Sequence, residues 1–92
     1  MKNKKNTGSF YTPKSIADFL VSYLSDKLRD KKNISVLEPS AGDGIFVRTI
    51  YNNEIFSEKV KKVVAVEQSK RELNKITKEV KQKSFSAIHS DF

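Results

Sequence analysis

Val36-Leu37-Glu38-Pro39-Ser40-Ala41-Gly42-Asp43-Gly44-Ile45-Phe46 decides how this chain is read. Ile34 to Leu37 is largely apolar and β-branched, as a buried strand is. Pro39 has no amide to give to a ladder, which predicts that the strand ends at or near Glu38. Gly42 and Gly44 are two of only three glycines in 92 residues. Glycine reaches positive φ and lets a ligand come close to the backbone. Ile45, Phe46, Thr49 and Ile50 follow at helical spacing. A strand that turns at glycines into a helix N-terminus is expected to offer N–H groups to an anionic or polar ligand. The dinucleotide fingerprint Gly-x-Gly-x-x-Gly would need glycine where Val47 stands, and the lysine of a P-loop is missing. An ordinary strand-to-helix turn would account for Gly-x-Gly alone. The carboxylates around it carry the reading further.

On the N-terminal side, Thr12 is a good N-cap and Pro13 a good first helical residue. Ile16, Phe19, Leu20, Tyr23, Leu24 and Leu28 then recur at spacings that predict an amphipathic helix of about four turns. On the C-terminal side, Asn52 and Asn53 end the helix that leaves the glycine turn, and residues 55–62 read as a connector. Val63 to Glu67 is a second strand. Ser69-Lys70-Arg71-Glu72 has the capping-box pattern and opens a helix whose apolar face is Leu73, Ile76 and Val80. Phe85 to His89 is a third strand. The expected fold class is α/β: a Rossmann-like half-fold with an N-terminal helix, then three parallel strands joined by two crossover helices. In such a sheet a ligand lies outside the carboxyl ends of the strands. Residues 1–7 read as a disordered polar tail and 8–92 as one domain.

A chain of this length allows one small domain with a limited core. There is no cysteine and the only histidine is His89, which excludes disulfides, zinc–thiolate sites, histidine metal clusters and Ser-His-Asp chemistry. No metal is expected. No apolar run approaches a membrane span and no signal-peptide core follows the basic N-terminus, so the expected compartment is the cytoplasm. The net charge of +7 is uneven. Residues 1–33 carry eight Lys/Arg against three Asp/Glu, residues 34–67 four against five, and residues 68–92 six against three. Basic flanks around a slightly acidic centre suit a cationic ligand held in a body that approaches phosphate, although lysine-rich helices are also ordinary solvated faces. Lysine outnumbers arginine, which favours backbone contacts over bidentate base reading.

Glu38, Glu67 and Asp91 stand at or just beyond three successive strand ends. Glu67 lies about twenty residues past the glycine turn, where an acidic side chain accepts from ribose hydroxyls. No cation stands in the turn to meet a pyrophosphate. A ligand with a ribose and a positive charge fits better, and S-adenosylmethionine has both.

Gly-x-Phe-Tyr-Thr-Pro before a helix, then Val-Leu-Glu-Pro-Ser-Ala-Gly-x-Gly-x-Phe, Val-Ala-Val-Glu and Ser-Asp-Phe together resemble the N-terminal half of an S-adenosylmethionine-dependent DNA adenine-N6 methyltransferase of restriction–modification type. The resemblance covers residues 8–92. It implies that Tyr11, Thr12 and Pro13 contact the methionine end of the cofactor. Glu38 and the backbone around Pro39, Ser40 and Ala41 would line the methionine pocket, with Gly42 and Gly44 forming the turn. Glu67 would bind the ribose, Asp91 the adenine amino group, and Phe92 would lie beside the adenine ring. An exocyclic amine wants a carboxylate acceptor and a purine face an aromatic. By themselves Phe10, Tyr11 and Phe92 read as packing residues.

Members of that family carry an Asn/Asp-Pro-Pro-Tyr/Phe motif after the fourth strand, which holds the target amine and stacks on the flipped base. The only prolines here are Pro13 and Pro39. The resemblance therefore implies a cofactor site without a catalytic one. Double-stranded DNA is expected as the substrate of a complete enzyme that includes a missing C-terminal half or partner subunit. A non-catalytic cofactor-binding module, or part of an RNA or small-molecule methyltransferase, is the alternative.

Overall fold

The computed structural model describes residues 12–39 and 41–90. Element order is α1 (Lys14–Lys27), β1 (Ile34–Glu38), α2 (Ile45–Asn52), α3 (Glu54–Lys59), β2 (Val60–Glu67), α4 (Lys70–Glu79) and β3 (Phe85–His89). The strands form one parallel sheet in the order β1-β2-β3. This is the expected α/β half-fold. The expected disorder of residues 1–7 lies outside the described residues.

Side chains alternate across a strand. Val63, Ala65 and Glu67 of β2 point to one face and are buried there. Val21 of α1, Val47 and Ile50 of α2, Phe56 of α3 and Ile76 of α4 pack with Val63 and Ala65 in a single core. All four described helices therefore lie on that face: right-handed crossovers place α2, α3 and α4 there, and α1 joins them through Val21. On the other face Leu37 and Ile88 stay exposed, at 62% and 49%, beside the half-buried Val64 and the buried Val66.

Several local expectations are corrected. Pro13, not Thr12, takes the cap position of α1: its ψ of 147° is extended, and its carbonyl accepts the Ile16 and Ala17 amides at 3.1 Å. The expected apolar face of α1 is not its buried face. Ala17, Val21 and Ser25 are buried, whereas Ile16, Phe19, Leu20, Tyr23 and Leu24 are exposed. Close approach of α1 to α2 and α3 needs the small side chains inward. The connector after Asn53 is partly helical. Asn53 ends α2 and caps α3 through its side chain, which accepts from the Phe56 amide at 2.9 Å. β2 begins at Val60 rather than Val63, with an irregularity that leaves Lys61 between the residues opposite Ile34 and Ser35.

Candidate functional site

The carboxyl ends of β1 and β2 and the glycine turn form one stitched unit. Gly42 and Gly44 have φ of 55° and 80°, the left-handed values that favour glycine. The Gly44 amide closes the turn on the Ala41 carbonyl at 2.8 Å. The turn folds over the end of β2, where the Ala41 amide bonds to the Val66 carbonyl at 3.1 Å. A Cβ on Gly44 would come within 2.9 Å of Ile76 Cγ1, so this glycine also lets α4 pack against the start of α2.

Glu67 sits at the centre. It is 7% exposed. Its Oε1 accepts the Gly42 amide at 2.7 Å and its Oε2 accepts the Ser69 amide at 2.8 Å. The capping pattern at Ser69 is thus half as expected. Ser69 Oγ accepts the Glu72 amide at 3.3 Å, but the Ser69 amide goes to Glu67. The Ser90 amide bonds to the Glu67 carbonyl at 3.2 Å, and a ring nitrogen of His89 lies 2.9 Å from the Gln68 carbonyl. These bonds tie the end of β3 to the same place.

The turn offers fewer of its amides to a ligand than expected. Those of Ala41, Gly42, Gly44 and Ile45 are all taken within the protein. The Ile45 amide, the first of α2, donates to Asp43 Oδ1 at 3.1 Å. A carboxylate therefore sits on the positive end of that helix dipole, which disfavours a phosphate there. Asp43 was legible as the Asp of a Gly-Asp-Gly turn, a residue type that bonds backbone amides two residues on. Arg48 was not foreseen. Its guanidinium reaches back to the Asp43 carbonyl and pairs with Glu79 at 3.0 Å, joining the turn to the end of α4.

Glu38 lies on the same sheet face as Glu67 but opposite Ala65, so the two carboxylates are staggered by two residues, roughly 7 Å along the strands. Thr12 is half-buried, Pro13 and Pro39 are exposed, and Ala41 is buried beneath the turn. Tyr11, Ser40, Asp91 and Phe92 fall outside the described residues. Among the described residues no cluster of His, Cys, Asp or Glu could hold a metal ion, and no helix is long and apolar enough to cross a membrane.

A sequence profile described as N-6 DNA methylase matches residues 1–86. The chain belongs to the N-6 DNA methylase family. In this N-6 DNA methylase family member the match includes β1, the glycine turn, β2 and the start of β3, the segments that build the candidate site. No individual curated protein matches the sequence.

Proposed function

We propose that this chain is the S-adenosylmethionine-binding part of a site-specific DNA adenine-N6 methyltransferase of restriction–modification type. It works with a segment or subunit that carries the Asn/Asp-Pro-Pro-Tyr/Phe motif and target recognition. The observation that supports the cofactor most is the Glu67 carboxylate at the end of β2. A carboxylate offers about four lone-pair sites. The Gly42 and Ser69 amides use two, and the remaining ones suit two ribose hydroxyls. The second support is the sign of the charge at the turn. Asp43 caps α2 and Glu38 ends β1, while the one cation that reaches the turn among the described residues, Arg48, is paired with Glu79, so the surroundings favour a sulfonium over a phosphate.

In this reading Glu67 binds the ribose, and Gly42 and Gly44 shape the turn that holds it. Glu38, Pro39, Ser40 and Ala41 line the methionine pocket, with Tyr11, Thr12 and Pro13 at its mouth. Asp91 accepts from the adenine amino group and Phe92 lies along the ring. The cofactor supplies the methyl group, and duplex DNA supplies the adenine.

Calorimetry on the full chain tests the reading. S-adenosylmethionine and S-adenosylhomocysteine should both bind. Glu67→Ala should weaken binding by about 2–3 kcal/mol among molecules that remain folded. A folded chain that binds neither ligand overturns the proposal. The chain alone should transfer no methyl group, and a polypeptide carrying the Pro-Pro motif should restore N6-methyladenine. Formation of that product by residues 1–92 alone would contradict the assigned division of labour.

A further inference from the structure

The amino ends of parallel strands also lie side by side, at the opposite edge of the sheet from the glycine turn. Three basic segments separate in sequence converge there. The turn from α1 into β1 carries Arg29, Lys31 and Lys32. The end of α3 and the start of β2 carry Lys59, Lys61 and Lys62. The turn from α4 into β3 carries Lys81 and Lys83. Asp30 and Glu58 are the only carboxylates in these three segments.

Neighbouring strands are about 4.8 Å apart, so three strand starts bring these segments together within roughly 10 Å of backbone. An open cavity of about 510 Å³ lies at this edge, lined by Arg29, Lys31, Lys32 and Lys59 together with Asp30 and Glu58. Lys59 Nζ donates to the Arg29 carbonyl, which fixes the β2 side of the cavity to the α1–β1 turn. Arg29 pairs with Asp26 at 3.5 Å. Among the described residues no ion pair engages Lys31, Lys32, Lys61, Lys62, Lys81 or Lys83, and all six are exposed.

We propose that this amino edge is a binding surface for the phosphate backbone of duplex DNA, separate from the cofactor end. Its cations are lysines except Arg29, point charges suited to phosphate and poor at bidentate base reading. The surface therefore holds DNA without regard to sequence. β2 spans eight residues, so the edge stands roughly 25 Å from the glycine turn, farther than the width of a duplex groove. DNA bound there cannot place a base at the cofactor. The surface retains flanking duplex while a separate segment is presented for reaction. The choice of DNA rather than an acidic protein rests on the proposed function above; the clustering of lysines does not.

The test is fluorescence anisotropy of the full chain with a short labelled duplex of arbitrary sequence, over a salt series. With about four phosphate contacts, log K should fall against log salt with a slope of about −3.6. Lys31→Glu with Lys32→Glu should weaken binding at least tenfold and make the slope shallower by about 2. The Gln pair at the same positions should fall between. Lys14→Glu with Lys75→Glu changes the net charge equally but lies off this edge, and should leave affinity within about threefold. Equal losses from both pairs would mean net charge alone and overturn the surface. Tighter binding to poly-glutamate than to DNA would assign the edge to an acidic protein and overturn it too. Cofactor calorimetry on the Lys31/Lys32 variant separates the two proposals. Intact cofactor binding without DNA binding in the parent chain defeats only this surface, and the reverse result defeats only the cofactor assignment.

Discussion

Glu67 and Gly42 stand 25 residues apart in sequence, and the carboxylate of one accepts the amide of the other at 2.7 Å. With the Ser69 amide on its second oxygen, Glu67 holds the glycine turn over the end of β2 through the chain's own amides. Its substitution should therefore register in the ligand-free protein. Glu67→Gln keeps one acceptor but turns an NH₂ toward a buried N–H donor. A donor facing a donor leaves both without a partner, at a cost of about 2–3 kcal/mol. Urea unfolding without cofactor should show a lower midpoint. An unchanged midpoint would mean that the carboxylate serves the ligand alone.

Gly44→Ala should destabilise for two separate reasons. A φ of 80° costs an L side chain about 1–2 kcal/mol. The new methyl would also press on Ile76 Cγ1 at 2.9 Å, where moving the core costs about 1 kcal/mol or more. A total near 3 kcal/mol is expected from chemical denaturation. A loss below about 1 kcal/mol would mean that α4 yields readily.

Helix α1 inverts the usual ranking of side chains by size. Val21 is 1% exposed and Phe19 is 65% exposed. Val21→Ala should cost about 2 kcal/mol, and Phe19→Ala should stay within about 0.5 kcal/mol. Thermal melts of the two variants distinguish this arrangement from one in which the large apolar stripe is the packed face.

The sequence was most informative where one residue type admits one conformation. Pro39 stops β1 after Glu38, Gly42 and Gly44 adopt positive φ, and Ser69 caps α4. Apolar runs located all three strands. Periodicity failed at α1 because it registers large apolar residues, whereas a helix packed closely against α2 and α3 buries Ala17, Val21 and Ser25. The six-residue α3 was too short to show a period, though Asn53 and Glu54 were signals of its start. At the site, the carboxylate at the end of β2 was legible as an acceptor. Its actual partners, the Gly42 and Ser69 amides, depend on the turn folding back over β2, which no local pattern encodes.

Tyr51 gives the fold a dependence on alkaline pH. Its hydroxyl lies 2.7 Å from Ser84 Oγ and links α2 to the turn before β3. Burial raises its pKa above the ordinary value of 10.0, and the Ser84 hydrogen bond offsets part of that. Because the folded state favours the neutral phenol, this stabilisation is complete below the unfolded pKa. It is lost as pH rises through the higher folded value. Stability should therefore fall above about pH 10, and Tyr51→Phe should reduce that fall while costing about 1 kcal/mol at neutral pH for the lost bond. Unfolding curves at neutral and alkaline pH check both signs. An equal alkaline decline in Tyr51→Phe would assign it to other groups.

The sheet face opposite the described helices sets the solution behaviour of the chain. Leu37 is 62% exposed and Ile88 49% exposed, on strands at the two edges of a three-stranded sheet. Both edge strands carry backbone groups that β2 does not pair, and an unpaired edge beside apolar side chains is a template for association. The chain alone should be marginally stable and self-associating. Cofactor should improve this only by mass action, about 2.7 kcal/mol at a hundredfold excess over Kd. Leu37→Lys and Ile88→Lys place charges where the side chains already meet water, so each should leave the unfolding free energy within about 0.5 kcal/mol. Both should shift sedimentation toward monomer, because lysines at sheet edges oppose strand addition. Hydrogen exchange gives the opposing outcome. A monomeric parent chain with strongly protected amides in β1, β2 and β3, free of cofactor and partner, would show that this face needs no cover.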